Sequence, residues 1–272
     1  MGRVMVLRTR FWDELTTEDI RALPPGTVAI LPVAATEQHG PHLPLATDAV
    51  INRGILERAL ALLPPELPAL ALPAQGVGHS PEHGGFPGTL TLRAETARAA
   101  WTELAEGAHA AGVRRLVLFN SHGGNPPLLD LMAVDLRVRR GLLVVPASWT
   151  RFGYPPGLFP PEELEFGIHG GAVETSLMLH LRPDLVRRDR IADFPSAARA
   201  VAAGNRFLRS HGRIGTGWMT GDLNPAGAVG DARLATAEAG QALLEHAATA
   251  LATLVGEVHR LPLPWDGAEP GG

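Results

Sequence analysis

The 272-residue chain contains no cysteine. That absence removes disulfides, thiolate metal sites and thiol nucleophiles together, so any metal must be held by His, Asp and Glu. Lysine is missing as well, and the 24 basic side chains are all arginines. They are scattered rather than gathered into a stripe, and the net charge is -4, so nucleic acid is not expected as a partner. Apolar runs such as Leu116–Phe119 and Leu142–Ala147 fall far short of the roughly 20 residues of a membrane span, so no membrane partner is expected. The amino-terminal stretch carries charge inside its apolar run and lacks a small-residue cleavage site; it reads as mature protein, with the cytoplasm as the expected location. No Gly-x-Gly-x-x-Gly follows a strand, and neither a phosphate-binding Gly-x-x-x-x-Gly-Lys loop nor a Gly-x-Ser-x-Gly elbow occurs. Dinucleotide, phosphate-loop and serine-hydrolase chemistry therefore lack their mechanical parts.

What is present is apolar material: 45% hydrophobic against 19% charged residues, enough to fill a sizeable core and too little charge for a disordered chain. With no internal repeat or linker, residues 1–272 read as a single domain. Residues 27–35 form a continuous β-rich run after Pro-Pro-Gly, the pattern of a strand buried on both faces. From Thr47 the apolar spacing turns helical, with Thr47 or Asp48 as N-cap and Pro64-Pro65 as the stop. A strand at 69–73, a Gly- and His-rich loop and a helix at 93–111 follow. The alternation then repeats: a strand from Arg114, the turn Ser-His-Gly-Gly-Asn-Pro-Pro, an amphipathic helix ending before Gly141, and the strand 142–148. Residues 150–168 read as a lid-like excursion, 172–181 as a helix, 196–209 as a short helix and 234–256 as a long one. Strands alternating with helices imply an α/β fold whose parallel sheet is covered on both faces.

Ligands of open α/β sheets bind at the carboxyl ends of the strands, where both TEQHGPHLPLATD and NSHGGN fall in this reading. Glu37 and His39, two residues apart, point to one side of extended backbone, while His42 and Asp48 arrive from the loop and helix that follow. A carboxylate and an imidazole side by side suit zinc, manganese or iron. An Asp at a helix start that reaches back to the strand ends suits the shared carboxylate of a two-metal site, which assigns the bridge to Asp48. A lone histidine is more often structural than a ligand, but seven of the eleven (39, 42, 79, 83, 109, 122 and 169) fall between residues 39 and 169, and all but His109 lie in Gly-rich loops.

Four motifs in order, LPVAATEQHGPHLPLATD, HGGFPGT, LFNSHGGN and HGGAVETSLML, resemble the successive signatures of the creatininase family of amidohydrolases. The resemblance spans residues 27 to about 190, with a weaker echo in GAVGDARLATAEAG. It implies a three-layer α/β/α sandwich with a central, mainly parallel sheet, two divalent metal ions per subunit (Zn, Mn or Fe), and often a homohexamer. It also implies hydrolysis of C–N bonds other than ordinary peptide bonds in a small-molecule amide. Carried over, it makes Glu37, Asp48 and His122 ligands of one metal, and His39 with the bridging Asp48 ligands of the other.

Two positions depart from the creatinine-hydrolysing pattern. A Glu expected two residues after His122 is Gly124, and Glu174, at a helix start beside Gly170-Gly171, is the substitute expected to serve as ligand and catalytic group. A Trp expected four residues before His169 is Glu165, while Trp149 matches another substrate-facing aromatic. Creatinine itself is thus not the expected substrate. The mechanism implied is attack by a metal-bridging hydroxide, with His169 protonating the leaving nitrogen or else orienting Glu174. His83 and the backbone of Gly123 and Gly124 are further candidates for substrate contact. Two alternatives stand beside a cyclic-amide hydrolase: a metallopeptidase or deformylase acting on a small cofactor precursor, and a non-catalytic protein with a structural metal.

Overall fold

The computed structural model describes residues 6–212 and 214–263. Four parallel strands, β1 (Val28–Val33), β2 (Ala69–Ala71), β3 (Arg115–Asn120) and β4 (Leu143–Ser148), form one sheet in the order β2-β1-β3-β4. The helices are α1 (Thr17–Arg21), α2 (Thr47–Leu62), α3 (Ala94–Ala110), α4 (Pro126–Arg140), α5 (Pro161–Phe166), α6 (Ala172–Leu181), α7 (Ala198–Gly204), α8 (Thr220–Leu223) and α9 (Ala237–Arg260). Strand register sets Val28 opposite both Ala69 and Arg115, and Arg115 opposite Leu143.

Because side chains alternate along a strand, the two faces of the sheet fill different cores. Val28, Ile30, Val117 and Phe119 join the core beneath α2, α6 and α9, while Ala29, Leu31, Val33, Leu116 and Leu118 join the one beneath α3 and α4. Every residue of β1 is buried, as its uninterrupted apolar run demands of a strand covered on both sides. The result is a three-layer α/β/α arrangement with a parallel central sheet. No helix among the described residues is long and apolar enough to cross a membrane.

Boundaries depart from expectation at three places. The N-cap of α2 is Ala46, with no side-chain cap; Thr47 and Asp48 lie in the first turn, and the Asp48 carboxylate turns away from its own helix. The helix expected over 196–209 stops at Gly204, where a residue of low helix propensity meets an extended Asn205. A two-stranded antiparallel ribbon, β5 (Asp193–Phe194) with β6 (Gly230–Asp231), was not foreseen, since two residues per strand carry no periodicity. The last helix begins at Ala237, fixed by Thr236, whose hydroxyl accepts from the Ala239 N–H at 3.1 Å.

The carboxyl ends of β1 and β3 are tied together by Asn52 on α2. Its buried amide donates to the carbonyls of Val33 at 3.0 Å and Phe119 at 3.2 Å. Asn52→Ala is therefore expected to lower stability by about 2 kcal/mol through lost hydrogen bonds in a dry setting, read as a shifted urea midpoint. An unchanged midpoint would show that these strand ends need no such tie.

Candidate metal centre

Five carboxylate and imidazole side chains meet beyond the carboxyl ends of β1 and β3. Glu37 and His39 follow β1, His122 lies two residues past β3, Asp48 sits in the first turn of α2 and Glu174 in the first turn of α6. The positive ends of α2 and α6 thus each receive a carboxylate. Asp48 is central: its Oδ1 lies 3.4 Å from His39 Nε2 and its Oδ2 lies 3.3 Å from His122 Nδ1. Glu37 Oε2 approaches His122 Nδ1 to 3.2 Å, and Glu174 Oε2 approaches His39 Nε2 to 3.9 Å. Ligand atoms close enough to share one ion are offered by Glu37, Asp48 and His122, by His39, Asp48 and Glu174, and by Glu37, His39 and His169.

The imidazoles are locked from outside. His39 Nδ1 lies 3.1 Å from the Glu37 carbonyl, His122 Nε2 lies 3.0 Å from the His79 carbonyl, and His169 Nε2 lies 2.7 Å from the Gln38 carbonyl. A carbonyl only accepts, so each outer nitrogen carries a hydrogen and each inner nitrogen is turned toward the carboxylates, where a neutral ring would offer its lone pair to a cation. That outward anchoring is how metal-bound histidines are held. Among buried polar atoms lacking any hydrogen-bond partner are Glu37 Oε2, His39 Nε2 and Asp48 Oδ2, all facing the middle of the cluster. Their orphaned state fits a cation.

Electrostatics point the same way. Burial pushes His39 down, but Asp48, Glu174 and Glu37 carry it up to about 10. His122 is likewise lifted well above the ordinary value, burial being outweighed by Glu37 and Asp48. Burial alone would raise Asp48, yet His39 and His122 hold it below the usual carboxylate range. Glu174 rises to about 7, chiefly through burial. Three carboxylates converging in a dry site demand positive charge, which a divalent cation held there would supply.

Other residues singled out from the sequence fall around this cluster. His83 is buried behind Glu37, its Nδ1 accepting from Gln38 Nε2 at 2.8 Å while its Nε2 faces Glu37 Oε1 at 3.3 Å. It lies off the wall of the adjoining cavity. His42 does not join: its Nε2 meets Thr175 Oγ1 at 2.9 Å and its ring stacks on Phe194. The cavity, roughly 350 Å³, is lined by His122, Gly123, Trp149 and Glu174 among others. Glu174 is fixed by the backbone N–H of Gly170, which donates to Oε2 at 2.6 Å. Gly170 has φ +62°, a conformation a side chain would resist, so the glycine makes that bond possible.

Sequence reasoning missed four supports. Asn120 and Asn125 bracket Ser-His-Gly-Gly; Asn120 Oδ1 accepts from the His122 N–H at 3.1 Å and from Asn125 Nδ2 at 3.0 Å. Gln38, between Glu37 and His39, donates to His83 and, at 2.8 Å, to the Gly227 carbonyl. Glu82, pushed up by burial, lies 3.6 Å from His122 Nε2. Only the two asparagines had a signal, their place at the ends of a motif turn.

A family model for creatininase, creatinine amidohydrolase, matches residues 13–255. The chain belongs to the creatininase family. Within that family of hydrolases it is 34% identical over 234 residues to a mycofactocin precursor peptide peptidase of Mycobacterium ulcerans, covering 84% of each chain. It is 34% identical over 205 residues to a creatinine amidohydrolase of Pseudomonas putida, covering 69% of this chain and 77% of that one. A solved creatininase variant of Zn-Zn type superposes with a TM-score of 0.73 at 28% identity, covering 93% of this chain and all of the other.

The creatininase resemblance leaves Gly124 where a Glu was expected, and the packing explains why no side chain stands there. A Cβ on Gly124 would lie 2.4 Å from the His79 carbonyl, 2.5 Å from His122 Nε2 and 2.7 Å from Glu82 Oε1. Gly124→Ala is therefore expected to displace His122 and weaken zinc binding tenfold or more, on the order of other losses of support around a ligand. Competition with a chromogenic chelator measures this, and parental affinity with a parental circular-dichroism spectrum would refute it.

Proposed function

We propose that the chain is a metal-dependent hydrolase of amide C–N bonds that works with a pair of divalent cations, one held by Glu37, Asp48 and His122 and the other by His39, Asp48 and Glu174. The observation that carries this reading is the Asp48 carboxylate, whose two oxygens face two separate imidazole lone pairs. Glu, Asp and His donors suit zinc or manganese. When bound, such a pair would polarise the amide carbonyl and lower the pKa of an attacking water.

This chain's own residues do the rest. Burial, then the charge of His39, holds His169 well below the ordinary value, so its ring is neutral. With its Nε2 hydrogen spent on the Gln38 carbonyl, His169 accepts the proton of the attacking water at Nδ1 and returns it to the leaving nitrogen. Glu174, in the cluster and on the cavity wall, holds its side of the site through one oxygen and meets the substrate with the other. Gly123 and Trp149 supply the substrate-facing surface, whereas Gly124, off the cavity wall, packs beside His122, and His83 acts through Glu37, which it backs. Tyr154, raised to about 12 chiefly by burial, stays a neutral phenol at the cavity.

Two amide classes are in view. Cyclic amides follow from the creatinine amidohydrolase likeness, and short peptides follow from the peptidase relative, which matches more of the chain. A panel of cyclic amides and short peptides, assayed on a metal-analysed sample, separates them; a metal-replete protein inert toward every amide would instead favour a structural metal.

Asp48→Asn is expected to reduce bound zinc from two ions per chain toward none, since one oxygen pair serves both positions; loss of a single ion would refute the bridge. His169→Asn is expected to cut kcat by about 100-fold with metal content intact, in the range of general acid–base contributions. Loss of metal in that variant would show His169 to be a ligand rather than a proton carrier.

A further inference from the structure

The cavity beside the cluster has an acidic floor and a donor-rich mouth. Glu174, 16% exposed, lies at the floor. Asn120 and Ser148 also line it, but the Asn120 amide is spent on Ser148 Oγ at 2.9 Å and on the His122 carbonyl at 2.8 Å. The lining side chains able to donate that make no hydrogen bond among the described residues are Trp149, Thr150, Arg151 and Tyr154. Neither the Thr150 hydroxyl nor the Tyr154 phenol makes a hydrogen bond among the described residues.

Among the described residues, Arg151 is the one arginine that lines this cavity. Its guanidinium reaches Asp130 only at 3.8 Å, with both side chains 55% exposed. A loose, solvated pair of that kind contributes little and releases its arginine readily. Arg151 also sits in the short 3-10 turn Trp149–Phe152 directly after β4. A rigid strand end therefore positions it, with Trp149 packed edge-on to Tyr154 at 5.9 Å.

We propose that the amide substrate carries a carboxylate, which Arg151 pairs at the mouth of the cavity while the scissile amide lies on the floor beside Glu174. The proposal rests on the metal-dependent hydrolase reading and adds the substrate's second anchor. A guanidinium matches a carboxylate with two parallel N–H donors, and the neighbouring phenol and hydroxyl extend the donor set. A small neutral amide would leave all three donors to water. The substrate class is then an amide of an amino acid or short peptide with a free acid group.

Isothermal titration of the zinc-loaded protein tests this with the monohydroxamates of succinic, glutaric and adipic acid, each against its own methyl ester. The hydroxamate end engages the metal centre in both members of a pair, so only the free carboxylate differs. At least one acid is expected to bind roughly tenfold tighter than its ester, the scale of a charge-assisted pair. That advantage should vanish in Arg151→Gln, with ester affinities unchanged, and return in part in Arg151→Lys. Equal binding of every acid and its ester, or an advantage that survives in Arg151→Gln, overturns the proposal. Esters that bind while acids gain nothing leave the metal centre standing and refute the anchor alone; failure of all probes on zinc-loaded protein removes the metal-centre reading and the anchor with it.

Discussion

The Asp48 carboxylate, buried between two imidazoles, is the constraint around which the rest of this molecule is arranged. Removing a carboxylate from water costs several kcal/mol, and here Glu37 and Glu174 share the same dry space. Attraction to His39 and His122 recovers part of that cost, which is why both are pulled toward their charged forms. A sheet end packed with apolar side chains would be at least as stable. The folding energy therefore comes from the two cores on either side of the sheet rather than from the cluster.

Those cores explain the precision of the site. Glu37 and His122 are carried just past the ends of adjacent, fully paired strands, and Asn52 clamps the two ends from α2. Asp48 is one turn earlier on that same helix, so the clamp and the shared carboxylate move as one body. Glu174 arrives on α6, which packs with α2 and α9 over the same core. Four elements whose mutual positions are set by apolar packing thus fix five polar groups, as a buried ligand set requires. The cavity mouth is built differently, from the Pro- and Gly-rich stretch between β4 and α6, where the backbone answers to fewer neighbours.

How much of this was legible beforehand follows from the range of each interaction. The alternation of strands and helices, and the placement of Glu37, His39 and Asp48 at strand and helix ends, are local properties written in periodicity and caps. The α/β layering follows from them. His42 shows the limit: it shares a loop with His39 and looks the same in sequence, yet its ring turns to Thr175 and Phe194, residues more than a hundred positions away. Gln38 and Glu82 also act through partners far along the chain, His83 and His122 among them, and no spacing rule reaches them. The extent of the helix after Ser196 was overread because Ala-rich sequence continues past the point where Gly204 and Asn205 end it.

The glycine at 124 and the carboxylate at 174 belong to one rearrangement. A side chain two residues after His122 would have to occupy space already filled by the His79 carbonyl and Glu82. In the proposed centre the missing carboxylate comes instead from α6, through a rotamer fixed by the Gly170 N–H. The cavity is bounded on the turn side by bare Gly123 backbone beside His122, and Glu174 lies along its wall. Trp149, Tyr154 and Arg151 line the same cavity, so a substrate held beside Glu174 has room there for a second, charged end.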